Sequence, residues 1–111
     1  MSINPDIELI KHILEETAFI LNHTENLSRE AYLKDEVLCR ASIRSLEIIG
    51  EATKKLSNDF KNKNSNIEWK KIAGTRDKLI HDYYGIDYDI VWDIITSKIM
   101  ELHNFLNGLI S

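Results

Sequence analysis

The chain has 111 residues, of which 43% are hydrophobic and 29% charged, with a formal net charge of −4. That length implies one domain, residues 1–111, because two halves would each bury too little surface to be stable. Four glycines and one proline fall well short of the ordinary share of about 12%, which excludes a sandwich or barrel of many short strands. The acidic balance excludes a wholly basic nucleic-acid-binding surface but leaves room for a local one.

Asn4 followed by Pro5 predicts a helix start, with a side-chain acceptor at the cap and a ring that needs no hydrogen bond in the first turn. Ile7, Ile10, Leu14, Thr17 and Leu21 then recur at helical spacing, which carries this helix to about His23. The run Ala18 to Leu21 is the longest unbroken apolar stretch of the sequence and is far too short to span a membrane. The opening residues lack the basic and apolar regions of a secretory signal, so a soluble cytoplasmic protein is expected. Thr24 to Ser28 is a polar break, and Ser28 is placed to cap a short turn reaching Leu33.

A long helix is predicted from about Asp35 to Leu56, on the seam Leu38, Ala41, Ser45, Ile48, Ala52 and Leu56. Cys39 lies on it as a small hydrophobe; a single cysteine excludes an internal disulfide and a Cys-rich zinc site. Gly50, inside the same helix, costs about 1 kcal/mol of propensity relative to Ala. Either a neighbouring backbone comes close there or the helix bends. Arg44 and Glu51, seven apart with Glu47 between them, read as an intrahelical pairing or as a polar shelf beside a site. His12 and Glu16, four apart, read as a surface pair.

Ser57 to Asn66 is polar and low in complexity and reads as a flexible loop. A third helical stretch begins near Ile67 and carries Trp69, Ile72, Arg76, Leu79, Ile80 and Tyr83, with Gly85 as its terminator. Within residues 70 to 78, Lys70, Lys71, Arg76 and Lys78 stand against the single acid Asp77. Asp87 caps the last helix, whose stripe is Val91, Ile94, Ile95, Ile99, Leu102, Phe105, Leu106 and Leu109. Trp69 and Trp92 read as core or interface anchors. Seventeen isoleucines favour strands by propensity, yet period two is nowhere sustained. The expected fold is all-α: an antiparallel up-and-down bundle of four to five helices.

Residues 76 to 84 carry more than packing. Arg76, Asp77, His81, Asp82, Tyr83 and Tyr84 crowd a guanidinium, an imidazole, two carboxylates and two phenols around the apolar anchors Leu79 and Ile80. On a helix Asp77 and His81 share a face, so the carboxylate can fix the imidazole tautomer. Arg76 and Tyr83 also share a face. Arg76 and His81 stand about 140° apart. For both to act on one group, either the helix deforms or a second copy supplies one of them, and a two-fold dimer does this without distortion. An imidazole that exchanges a proton near neutrality and a guanidinium that binds phosphate suit attack of an RNA 2′-hydroxyl on its own phosphodiester. No metal-ligand spacing and no cofactor motif accompanies them. A satisfied helix-end histidine with an ordinary salt-bridging arginine is the bland alternative.

The pattern R-x(4)-H-x-Y, read as Arg76, His81 and Tyr83, resembles the signature of HEPN-domain ribonucleases. More closely, the chain resembles the HepT-like toxins that pair with MNT nucleotidyltransferase antitoxins. The stretch Arg44 to Ala52 is similar to that branch's long second helix. Trp69 with Ile72, the run His81 to Asp87 and Val91-Trp92 are similar to its third and fourth helices. The resemblance implies the toxin of a type VII (HEPN/MNT) toxin–antitoxin pair, a metal-independent endoribonuclease acting on tRNA or mRNA as a homodimer. Arg76 and His81 would be its catalytic pair with Asp77 in support, and no cofactor is called for. Tyr83 would take AMP from the MNT partner, which silences the toxin and draws it into a larger hetero-oligomer. Asn is also common at the position of Asp77, and a carboxylate there adds negative charge to an RNA-facing site. The alternative is a catalytically weak helical module that binds a partner or serves as substrate in a nucleotidyltransferase complex.

Overall fold

The structure is a computed structural model that describes residues 4–80 and 85–110, with the backbone alone at Arg76, Lys78 and Ile80. Among the described residues the secondary structure is helical throughout, in agreement with the all-α expectation. Helix α1 (Pro5–Thr24) starts where Asn4 accepts a hydrogen bond from the Asp6 N–H. Its inner stripe is Ile10, Ile13, Thr17 and Ile20. Ser28 caps the short α2 (Arg29–Lys34) by accepting from the Ala31 N–H, and Asp35 does the same for α3 (Glu36–Lys55) through the Leu38 N–H. Helix α3 is the central element and packs against α1, α5 and α6. Cys39 is buried on it as expected.

Residues 57–66 depart from the expected loop. Helix α4 (Asn58–Lys63) forms there because Ser57 Oγ accepts from the Phe60 N–H at 3.1 Å, and Asp59 pairs with Lys63 at 3.1 Å. Phe60 then stacks obliquely on Trp69, with ring centroids 5.6 Å apart. The stretch is also tied to α1, where Asp6 accepts from the Ser57 N–H at 2.8 Å.

The third helical stretch is divided. Helix α5 (Trp69–Ala73) ends at Gly74, and α6 (Thr75–Ile80) begins directly after it. The Gly74 N–H still reaches the Lys70 carbonyl at 3.0 Å, while the Thr75 hydroxyl donates to the Ile72 carbonyl at 2.8 Å. That side-chain bond adds a donor to a carbonyl at the break. Gly85 has a φ of +122°, which side chains with a Cβ rarely adopt.

The last helix runs as α7 (Tyr88–Ile94), a π-helical turn at Ile95–Ile99 and α8 (Met100–Ile110). Asp87 caps it by accepting from the Asp89 and Ile90 N–H groups. The hydroxyls of Thr96 and Ser97 donate to the carbonyls of Trp92 and Asp93 four residues back, at 2.9 and 2.5 Å. Such bonds draw on acceptors that the α-helical ladder uses, and they mark where it widens. Val91, Ile94, Ile95, Ile99, Leu102 and Leu106 face the core; Phe105 is half-buried and Leu109 is exposed. Both tryptophans anchor packing, Trp92 against Tyr32 at a centroid distance of 5.1 Å. No helix among the described residues is long and apolar enough to cross a membrane.

Candidate active site

The segment that carries Arg76 is held from three sides. Trp69 is buried at the head of α5, and its Nε1 donates to the Asn64 carbonyl at 2.9 Å. Ile72 is buried one turn later. Gly50 on α3 lets the two backbones meet: a Cβ there would lie 3.3 Å from the Ala73 carbonyl oxygen. Of the two explanations open for that glycine, close backbone approach is the one that applies.

Beyond the break, Thr75 and Leu79 are buried at four-residue spacing and fix the rotation of α6. Arg76 lies on this helix, and Asp77 beside it is exposed. His81, Tyr83 and the reach of Asp77 toward His81 lie outside the described residues. The sequence reading missed Gly74 and Thr75 as a break placed directly before the motif. A glycine followed by a hydroxyl residue inside a helical pattern was the available signal.

Around this segment the charges sort themselves. Glu68 is paired with Lys71 at 2.6 Å and with Lys98 of the π turn. The hydrogen bonds from Lys71 and Lys98 hold its carboxyl at about 2, far below the usual range, and Glu68 in turn raises Lys98. On α3, Glu51 pairs with Lys54 at 3.7 Å, while Arg44 is exposed and Glu47 half-buried. Arg44, Glu47 and Glu51 line one groove on the α1–α3 face together with His12 and Lys55. Glu16 and His12 form no ion pair among the described residues.

The other histidines are occupied elsewhere. His103 Nδ1 is 2.7 Å from Thr17 Oγ1 and ties α8 to α1, and His23 Nδ1 lies 2.8 Å from the Phe19 carbonyl. No group of three or more His, Cys, Asp or Glu side chains suited to a metal gathers among the described residues.

Comparison with known proteins places this helical frame. The family model described as "Ribonuclease HepT-like" matches residues 13–109. A protein named "Putative RNase" in Caldanaerobacter subterraneus subsp. tengcongensis is 50% identical over 93 residues, covering 84% of this chain and 83% of the relative. One with the same designation in Methanocaldococcus jannaschii is 48% identical over 78% of this chain and 72% of its own length. A "Probable ribonuclease HepT" of Thermococcus cleftensis is 39% identical, with 86% of each chain covered. No solved structure matches the chain. The fold is that of an all-helical HEPN ribonuclease. The chain belongs to the HepT-like ribonuclease family.

Proposed function

We propose that the chain is a metal-independent endoribonuclease that works as a homodimer, with Arg76 and His81 as its catalytic pair. What carries this reading is the sequence Arg76-x(4)-His81-x-Tyr83 in a chain of the HepT-like ribonuclease family. The His81 imidazole takes the proton of an RNA 2′-hydroxyl, and the 2′-oxygen attacks the adjacent phosphorus. The bond from phosphorus to the 5′-oxygen breaks, that oxygen receives a proton from an imidazolium, and a 2′,3′-cyclic phosphate remains. Arg76 binds the non-bridging oxygens and stabilises the charge that builds on them. Asp77 orients His81. Helical spacing predicts about 140° between the pair, and in this reading Arg76 of one subunit and His81 of the other meet across the two-fold axis.

Residues 1–111 act as one domain in the cytoplasm, as the toxin of a type VII (HEPN/MNT) pair, on tRNA or mRNA. Control comes from the MNT-type nucleotidyltransferase antitoxin. The Tyr83 oxygen attacks the α-phosphate of ATP, pyrophosphate leaves, the phenolic proton is lost, and AMP stays on the tyrosine. Its phosphate occupies Arg76 as a decoy for RNA. Toxin and antitoxin assemble in a complex larger than the dimer. The second reading, a helical substrate module with little turnover, rests on the exposed carboxylate of Asp77, which opposes an RNA phosphate.

The test is cleavage of RNA in excess EDTA. The parent cuts and leaves 2′,3′-cyclic ends, whereas Arg76→Ala and His81→Ala are inactive with unchanged helicity. If both variants cut as the parent does, the catalytic assignment is wrong.

A further inference from the structure

Where α3, α4 and α5 meet, a cleft of about 640 Å³ opens beside the segment that leads to Arg76. Its rim carries Lys54, Lys61, Lys70 and Lys71, and its floor includes Ile67 and Trp69. The charge of the molecule is concentrated here. The lining holds four lysines against one acid, Glu68, a net +3 in a chain of net −4. On a chain with that balance, a basic cleft is a segregated feature. It is a surface suited to a polyanion.

Lys54 pairs with Glu51 and Lys71 with Glu68, whereas Lys61 and Lys70 have no ion-pair partner among the described residues. Lys61 Nζ donates to the Lys54 carbonyl at 3.3 Å, a contact that positions the cation and leaves its charge. Lys70 is exposed. The one acid lining the cleft, Glu68, is satisfied by Lys71 and by Lys98 from the far side. A second groove, of about 550 Å³, begins at the same Lys71 and continues past Gly74 and Thr75 to Lys98. Ala73 lines the first cleft and precedes Arg76 by three residues, so their Cα atoms are within about 11 Å of each other.

We infer that this lysine cleft is a docking track for the backbone of a single-stranded RNA, which it holds on the flank of the Arg76 site. The inference rests on the ribonuclease reading and adds where the strand runs outside the scissile phosphate. Lysines bind phosphates as point charges and release counterions, so the track gives affinity without sequence preference.

The probe is a fluorescently labelled single-stranded RNA about 12 nucleotides long, with every 2′-hydroxyl methylated so that it cannot be cut. Its binding to the full chain is followed by anisotropy across a salt series. Replacing Lys54, Lys61 and Lys70 together by Ala is expected to weaken binding about 10–100-fold at low salt. The same change lowers the slope of log K against log salt by about 2, from about 0.7 for each lost contact. Lys11→Ala with Lys34→Ala, on α1 and α2, is expected to leave the slope within 0.3 or so of the parent. Equal slopes for the parent and the triple variant, no binding of the strand at all, or an equal loss in the control variant would each overturn the inference. Because the probe cannot be cleaved, the two readings fail separately. Cleavage without lysine dependence sinks the track alone, and lysine-dependent binding by a chain that never cuts RNA sinks the ribonuclease reading alone.

Discussion

A Cβ on Gly50 would stand 3.3 Å from the carbonyl oxygen of Ala73, the last residue of α5. The backbone of the central helix and the end of the helix before Arg76 therefore touch with no side chain between them. Gly50→Ala sets a gain of about 1 kcal/mol in helix propensity against a contact tighter than most. Gly50→Val has no such balance. Its extra methyl groups must push the α5–α6 corner away, and overpacking of this kind costs about 1–3 kcal/mol. Urea unfolding followed by circular dichroism should record that loss, and RNA cleavage should fall with it because α6 is displaced.

Ile72 offers the opposite perturbation. It is buried on α5 against the core, so Ile72→Ala leaves a cavity and removes apolar contact. Chemical denaturation should show a loss of about 2–5 kcal/mol. A change below about 0.5 kcal/mol, the size expected of a surface site, would mean that α5 does not pack as described.

Glu68 makes the pH dependence of this corner testable. Its carboxyl is held at about 2 by Lys71 and Lys98, whereas a glutamate in an unfolded chain titrates near 4.3. The folded state therefore binds fewer protons than the unfolded one in that window, and stability falls as pH drops from about 4.5 toward 2. Above the window the contribution of Glu68 is fully present. The melting temperatures of the parent and of Glu68→Gln should differ near neutrality and converge as the pH approaches 2. Carbon-detected NMR of the carboxyl should place its midpoint well below 3.5.

Tyr83 and Tyr84 separate the proposed control from general reactivity. Helical spacing from Arg76, seven residues to Tyr83 and eight to Tyr84, predicts a shared face for the first and a further turn of about 100° for the second. Tyr83→Phe should keep ribonuclease activity yet escape silencing by the nucleotidyltransferase and ATP. Tyr84→Phe should be silenced as the parent is. Intact-mass and peptide-mapping measurements after incubation decide it, and an adduct on Tyr84 contradicts the proposal.

Much of this structure is legible in the sequence because single residues announce it. Asn4, Ser28 and Asp87 cap the helices that their positions imply, and the long seam of α3 is buried along Leu38, Ser45 and Ala52. What spacing alone does not reveal comes from side-chain contacts that a hydrophobic pattern does not encode. Asn58–Lys63 looks like a loop until Phe60 finds Trp69. The division at Gly74 depends on the Thr75 hydroxyl choosing the Ile72 carbonyl. The π turn depends on Thr96 and Ser97 doing the same to Trp92 and Asp93. At the candidate site, residue types and spacing suggest the chemistry of Arg76 and His81. The corner formed by Gly50 and Ala73 belongs to the fold.

The shared site makes the sharpest demand on the account. Arg76→Ala and His81→Ala are each expected to be inactive alone, and the two can be unfolded together and refolded as a mixture. Random pairing puts one variant of each kind in half of the dimers. If Arg76 of one subunit serves His81 of the other, each mixed dimer holds one intact site and one doubly deficient site. The mixture should then recover roughly a quarter of the parent's rate of RNA cleavage in EDTA. A mixture that exchanges subunits and stays inactive would contradict the composite site.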